Sequence, residues 1–137
     1  MKIFFDANVY VAEALLGGSA ELMIAATIAA RWRVYCSSHV LDESERVLTE
    51  KLGFSPRLAR LTCDRARRRS TLVALAASRH TVPADPGDSP ILQAALAAGS
   101  DYLVTNDKHL LALNPYESLR IISMTDYFEL LKNEKLI

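Results

Sequence analysis

The sequence predicts an α/β fold, a three-layer α/β/α sandwich around a central parallel sheet. Three observations point to it. Short apolar runs at residues 2–5, 32–36, 102–105 and 119–123 alternate with longer stretches whose apolar residues recur at helical spacing. The connections between these runs are too long for hairpins, as parallel neighbours require. The first and third runs are each followed by an aspartate, Asp6 and Asp107, and sheets of this kind gather ligands beyond the carboxyl ends of their strands. With 137 residues, half of them hydrophobic, the chain can enclose one core, so residues 1–137 read as a single domain.

In chain order, residues 1–6 give the first strand, and Asn8 is expected to cap a helix carrying Val9, Val11, Ala12, Leu15 and Leu16. Gly17-Gly18-Ser19 breaks that helix. A second follows from Ala20 through Leu22, Met23, Ala26, Thr27 and Ala30, ending near Arg31. Residues 32–36 alternate and form the second strand. Ser37 or Ser38 opens a third helix with Val40, Leu41, Ser44, Val47, Leu48 and Leu52 on one stripe, and Gly53 closes it. Ser55-Pro56 opens a fourth, in which Arg57, Arg60, Arg65, Arg67, Arg68 and Arg69 stand against Asp64. Another helix is expected through Leu72, Val73, Leu75 and Ala76, then a loop at 81–87 in which Asp85 begins an Asp-Pro-Gly-Asp turn.

Asp88 or Ser89 caps the next helix, Pro90 fits its first turn, and Gly99 stops it before the strand at 102–105. Residues 108–113 form a short helix, Asn114-Pro115 a turn, and 119–123 the last strand. A closing helix starts at Thr125 or Asp126.

Charge and cysteine content narrow the function. Sixteen basic and sixteen acidic residues give a formal charge of +0, so attraction to nucleic acid must come from local clustering such as the arginines at 57–69. Cys36 and Cys63 fit neither a metal-ligand spacing nor a disulfide framework, which predicts a reducing, cytoplasmic setting. No secretory leader is expected at the amino terminus, and the longest weakly polar run, 22–30, falls well short of the roughly 20 residues of a membrane span, so no membrane partner is expected.

Asp6, Asp88 and Asp107 all map to one edge of the sheet, with a fourth carboxylate on the third helix. Helical periodicity puts Glu43 on one shoulder of the apolar stripe and Glu45 on the other, and does not choose between them. Carboxylates converging without histidine or cysteine repel one another unless a hard divalent cation is present, and oxygen-only ligation suits Mg²⁺ or Mn²⁺. The reaction class that follows is phosphodiester hydrolysis. Thr105 can hydrogen-bond a carboxylate of this group. His39 and His109 lie near the same edge without ligand spacing. A GxGxxG cofactor loop and a GxSxG nucleophile elbow are absent from the sequence.

The run Phe5-Asp6-Ala7-Asn8-Val9 resembles the opening motif of PIN-domain nucleases. Residues 37–48 resemble the family's second motif, and aligning Val47-Leu48 places its glutamate on Glu43. Asp85-Pro-Gly-Asp88 followed by 91–94 resembles the third motif, and 103–111 the fourth. The resemblance spans nearly the whole chain and is strongest to the VapC-type toxins of toxin–antitoxin modules. It implies an RNA substrate, dependence on Mg²⁺ or Mn²⁺, inhibition by an antitoxin encoded alongside, and, by analogy, a homodimer. It implies Asp6, Glu43, Asp88 and Asp107 as the catalytic, metal-binding quartet, with Asn8 and Thr105 supporting them. Arg67, Arg68 and Arg69 are the candidates for contact with RNA or a partner. Two positions depart from the family pattern: Ala7, where threonine or serine is common, and Asn106, where glycine is. They keep an alternative open, an inactive PIN-like module that binds RNA or a protein. A phosphatase or phospho-receiver would place a second aspartate two residues after Asp6, where Asn8 stands.

Overall fold

A computed structural model describes residues 1–74 and 89–137. Five parallel strands, β1 (Lys2–Phe5), β2 (Arg33–Ser37), β3 (Thr71–Val73), β4 (Tyr102–Val104) and β5 (Arg120–Ile122), form one sheet in the order β3-β2-β1-β4-β5. The chain builds outward from β1 to β3, then returns to the other side of β1 for β4. The order therefore reverses between β1 and β4, which opens a crevice at their carboxyl ends.

The helices are α1 (Ala7–Leu16), α2 (Gly18–Ala29), α3 (Ser38–Arg46), α4 (Pro56–Arg68), α5 (Ser89–Ala97), α6 (Lys108–Leu111) and α7 (Met124–Asn133). A π-helical turn, Val47–Lys51, extends α3. The fold class expected from the sequence is the one observed, an α/β/α arrangement with a parallel sheet.

The central strands are apolar because both faces of the sheet are covered: Ile3, Phe4, Phe5, Leu103 and Val104 are all fully buried. Phe5 meets the rings of Tyr10 on α1 and Tyr127 on α7 edge-on, with centroids 6.1 and 5.7 Å apart. The buried Tyr127 hydroxyl donates to Thr27 Oγ1 at 2.5 Å, and Thr27 passes its own hydrogen to the Met23 carbonyl at 2.7 Å. That chain joins α7 to α2. Between α1 and α2 the axis turns by 119° at Gly17, whose φ of 64° is readily adopted only by glycine. Among the described residues no single helix is long and apolar enough to cross a membrane.

Two expectations are corrected. Leu72 and Val73 belong to strand β3, paired with Cys36 and Ser37 of β2, and not to a helix. Pairing with β2 decides this, as the segment lacks a buried alternating face of its own: Thr71 and Leu72 are exposed. Leu75 and Ala76 of the same expected helix lie outside the described residues, as do the 81–87 loop, the turn at Asp85 and Asp88. The cap of α1 is Asp6 and not Asn8: Asp6 has extended backbone (φ −71°, ψ 164°) and its Oδ1 accepts from the Ala7 amide at 2.6 Å. The third helix starts as the expected serine cap predicts, with Ser37 Oγ accepting from Val40 N, whereas the last starts at Met124, before the expected Thr125 or Asp126, because Ser123 Oγ accepts from Asp126 N and caps it.

A buried ion pair ties α1 to the end of α4. Glu13 accepts two hydrogen bonds from the Arg69 guanidinium, both 2.7 Å, and Arg65 lies 3.9 Å away. Side-chain exposure is 3% for Glu13 and 18% for Arg69, so removing one partner strands a charge in the interior. Arg69→Ala is expected to cost about 3 kcal/mol or more in urea unfolding at neutral pH. A cost below about 1 kcal/mol, the range of exposed pairs, would show that Glu13 is rehydrated instead.

Candidate active site

Because β1 pairs with β4 in the register Phe5↔Val104, the residues following each strand come side by side: Asp6 lies beside Thr105. The Asp6 amide continues the ladder by donating to the Val104 carbonyl at 3.0 Å. Thr105, fully buried, is the hub. Its hydroxyl donates to Asp6 Oδ2 at 2.7 Å and accepts from the Asp107 amide at 3.0 Å and from Asn8 Nδ2 at 3.4 Å. A threonine oxygen has one hydrogen and two lone pairs, so this geometry uses all three and fixes the hydroxyl.

Asp107 caps α6, with Oδ1 accepting from His109 N at 2.8 Å and Leu110 N at 3.3 Å. Glu43, on α3, is one-third exposed and lies 3.8 Å from His39 Nε2, one helical turn back. Asp6, Asn8, Glu43 and Asp107 line a cavity of about 330 Å³ together with the apolar Val11, Ala12, Leu15, Leu16 and Val47. The structure thus brings together Asp6, Glu43 and Asp107 with Asn8 and Thr105. Asp88 lies outside the described residues. Glu45 does not line this cavity.

Asp6 is the most strained of these groups electrostatically. It is 5% exposed, and burial pushes its carboxyl up to about 6 from the ordinary 3.8. The bonds from Thr105 and Ala7 oppose that rise, while the charges of Glu43 and Asp107 add to it. Beside it, Asn8 Oδ1 is buried without a hydrogen-bond partner among the described residues. Among those residues no three acidic, histidine or cysteine side chains approach closely enough to hold an ion by themselves. The donor set nevertheless fits a hard divalent cation: it is all oxygen, it includes a carboxylate whose ionisation burial opposes, and it offers an unpaired amide oxygen.

Several features were not foreseen. The apolar wall on α1 is one, for Leu15 and Leu16 were expected on the helix stripe, yet they are 48% and 77% exposed. Both stand in the last turn of α1, beyond its last buried residue, Glu13. Asn106 is another: its Oδ1 accepts from the Met124 amide at 3.1 Å, tying the loop after β4 to the start of α7. Arg69 is held by Glu13, and Arg67 pairs with Asp64 at 2.9 Å, so of the three arginines singled out only Arg68 has no ion-pair partner among the described residues.

The raised carboxyl of Asp6 makes a pH prediction. Below about pH 4 the group is protonated in both folded and unfolded chains and costs nothing. Between about 4 and 6 only the folded chain retains the proton, and above 6 the full cost of ionising it in the interior is present, on the order of 3 kcal/mol. Asp6→Asn keeps the capping oxygen and removes the charge. In metal-free buffer it is expected to be more stable than the wild type at pH 8 and equal to it at pH 4; a variant less stable at pH 8 would contradict a strained Asp6. Thr105→Val removes the hub without changing its size, and is expected to weaken Mn²⁺ binding by roughly 10–100-fold. Unchanged Mn²⁺ affinity would make the hub purely structural.

Comparison with known proteins bears on the family and the fold. Among curated proteins none matches. A chain of the crystal structure of VapBC2 from Rickettsia felis bound to a DNA fragment from their promoter shares the fold with a TM-score of 0.66 and 16% identity, covering 90% of this chain and 98% of that one. The sequence model of the PIN domain matches residues 2–109, and so takes in both strand-end aspartates and Glu43. The chain belongs to the PIN-domain family.

Proposed function

We propose that this chain is a metal-dependent endoribonuclease and the toxin of a toxin–antitoxin pair. The observation that carries the reading is the convergence of buried Asp6 with Glu43 and Asp107 at the crevice where the strand order reverses. Capping α1 needs an oxygen at Asp6 and not a charge, whereas a site for a divalent cation makes use of a buried carboxylate placed among like charges. Asp6, Glu43 and Asp107, with Asp88 as the fourth member, would hold Mg²⁺ or Mn²⁺. When bound, such an ion supplies charge neutralisation at a phosphoryl oxygen and acidifies a water for attack on phosphorus.

The chain's own residues set the conditions for this chemistry. Thr105 holds Asp6 in one orientation and Asp107 at a fixed distance along the backbone, so the carboxylates do not need to reorganise when RNA arrives. Asn8 braces the hub, and its amide oxygen is buried without a hydrogen-bond partner among the described residues. Leu15 and Leu16, which line the cavity and are exposed, offer a protein partner an apolar foothold. That feature, with the family, supports an antitoxin as partner.

The two departures from the family pattern do not dismantle the arrangement. Ala7 is buried at the start of α1 and its amide still bonds Asp6. The side chain of Asn106 is engaged by α7. Incubation of a mixed RNA pool with purified protein in Mg²⁺, Mn²⁺ or EDTA, beside Asp6→Asn, tests the reading. Discrete products are expected from the wild type with metal and from neither control. RNA binding without cleavage under every condition would replace the nuclease with a binding module.

A further inference from the structure

The outward face of α4 is unusual for a solvated helix. Residues advance by about 100° each, so Arg57, Leu58, Leu61, Arg65 and Arg68 form one contiguous stripe opposite the buried Ala59, Cys63 and Ala66. Leu58 and Leu61 are 53% and 51% exposed, one turn apart, in the middle of that stripe. Along the helix Arg57 stands before them and Arg68 after them, while Arg65, half-exposed, already lies 3.9 Å from Glu13. The inner face of small residues already packs the helix against its neighbours, so the fold does not account for two leucines on the outside.

We propose that this face docks an acidic, amphipathic segment of a partner protein, its apolar side chains covering Leu58 and Leu61 and its carboxylates pairing with Arg57 and Arg68. The inference rests on the reading that the chain works as half of a two-protein module, and adds to it the surface used. Charge complementarity fixes the sign of the partner: α4 carries five arginines against Asp64, which Arg67 already engages. The exposed leucines distinguish a protein from RNA. RNA phosphates recruit cations and its bases stack on aromatic rings, whereas α4 has no aromatic residue and presents isolated aliphatic side chains. A peptide segment uses both components of the stripe, with the leucines as anchors and the arginines giving register.

The test uses the full chain and the protein encoded beside it in its genome. Affinity between the two is measured by titration for the wild type, for Leu58→Ser/Leu61→Ser and for Arg57→Glu/Arg68→Glu, with thermal melts of each variant and, in parallel, affinity for a short unstructured RNA. All substitutions lie on the exposed face, so the melts are expected to match the wild type. Both double variants are expected to weaken the protein complex by about tenfold or more, and the leucine variant to leave RNA affinity unchanged. A complex indifferent to either variant would overturn the docking surface while leaving the two-protein reading intact. Loss of RNA binding in the arginine variant, with no effect of the leucine variant on the protein complex, would make the face a phosphate surface. No complex with the wild type would remove the two-protein reading and this inference with it.

Discussion

Three hydrogen bonds meet at the Thr105 hydroxyl, and the arrangement of the carboxyl edge depends on them. One runs to Asp6 at the end of β1, one comes from the backbone of Asp107 after β4, and one from Asn8 in the first turn of α1. Each partner belongs to a segment that the fold places there for another reason: Asp6 and Asp107 cap helices, and Asn8 lies within α1. Thr105 converts these local structures into a single rigid unit. It can do so because β1 and β4 are neighbours only through the reversal of strand order, which brings together residues 99 positions apart.

The same constraint explains the electrostatics. A carboxylate anchored by two hydrogen bonds in a buried position cannot swing out to water when it ionises. Its titration therefore rises despite those bonds, since burial outweighs them. Stability and function pull in opposite directions at Asp6, as they do where a fold maintains a strained group for chemistry. The Glu13–Arg69 pair offers the contrast: there a buried carboxylate is fully matched by a guanidinium, and the charges serve to fasten α1 to α4. Two buried acids on or beside one helix thus differ in that a guanidinium of the fold matches Glu13 and no cation of the fold matches Asp6 among the described residues.

Much of this was legible in the sequence where a signal was local. The strands β1 and β4 announce themselves as apolar runs, and an acid after each is readable as an edge residue once a parallel sheet is expected. The serine cap at Ser37 follows from the same kind of local rule, whereas the start of α7 was placed at Thr125 or Asp126 because both are good capping types, and Ser123 is the cap. Strand β3 was not legible, since Thr71–Val73 becomes a strand by pairing with β2 and carries no pattern of its own. The cap of α1 was misplaced by two residues because Asp6 and Asn8 are both good capping types, and only the backbone angle separates them. Arg69 looked like its neighbours in a basic cluster, yet a clue to its partner existed: Glu13 sits four residues after Val9 and three after Tyr10, on the buried side of α1. A charged residue on that stripe demands a counter-charge from elsewhere in the chain.

The central claim is that Asp6 is a strained carboxyl kept for a divalent cation. Calorimetric titration of Mn²⁺ into the protein from pH 5 to pH 8, in buffers of different ionisation enthalpy, tests it most directly. The account predicts that binding displaces a proton from Asp6 below about pH 6, that this release vanishes by pH 8, and that affinity rises accordingly across the interval. Affinity and proton release that do not change with pH, and that persist in Asp6→Asn, would contradict it.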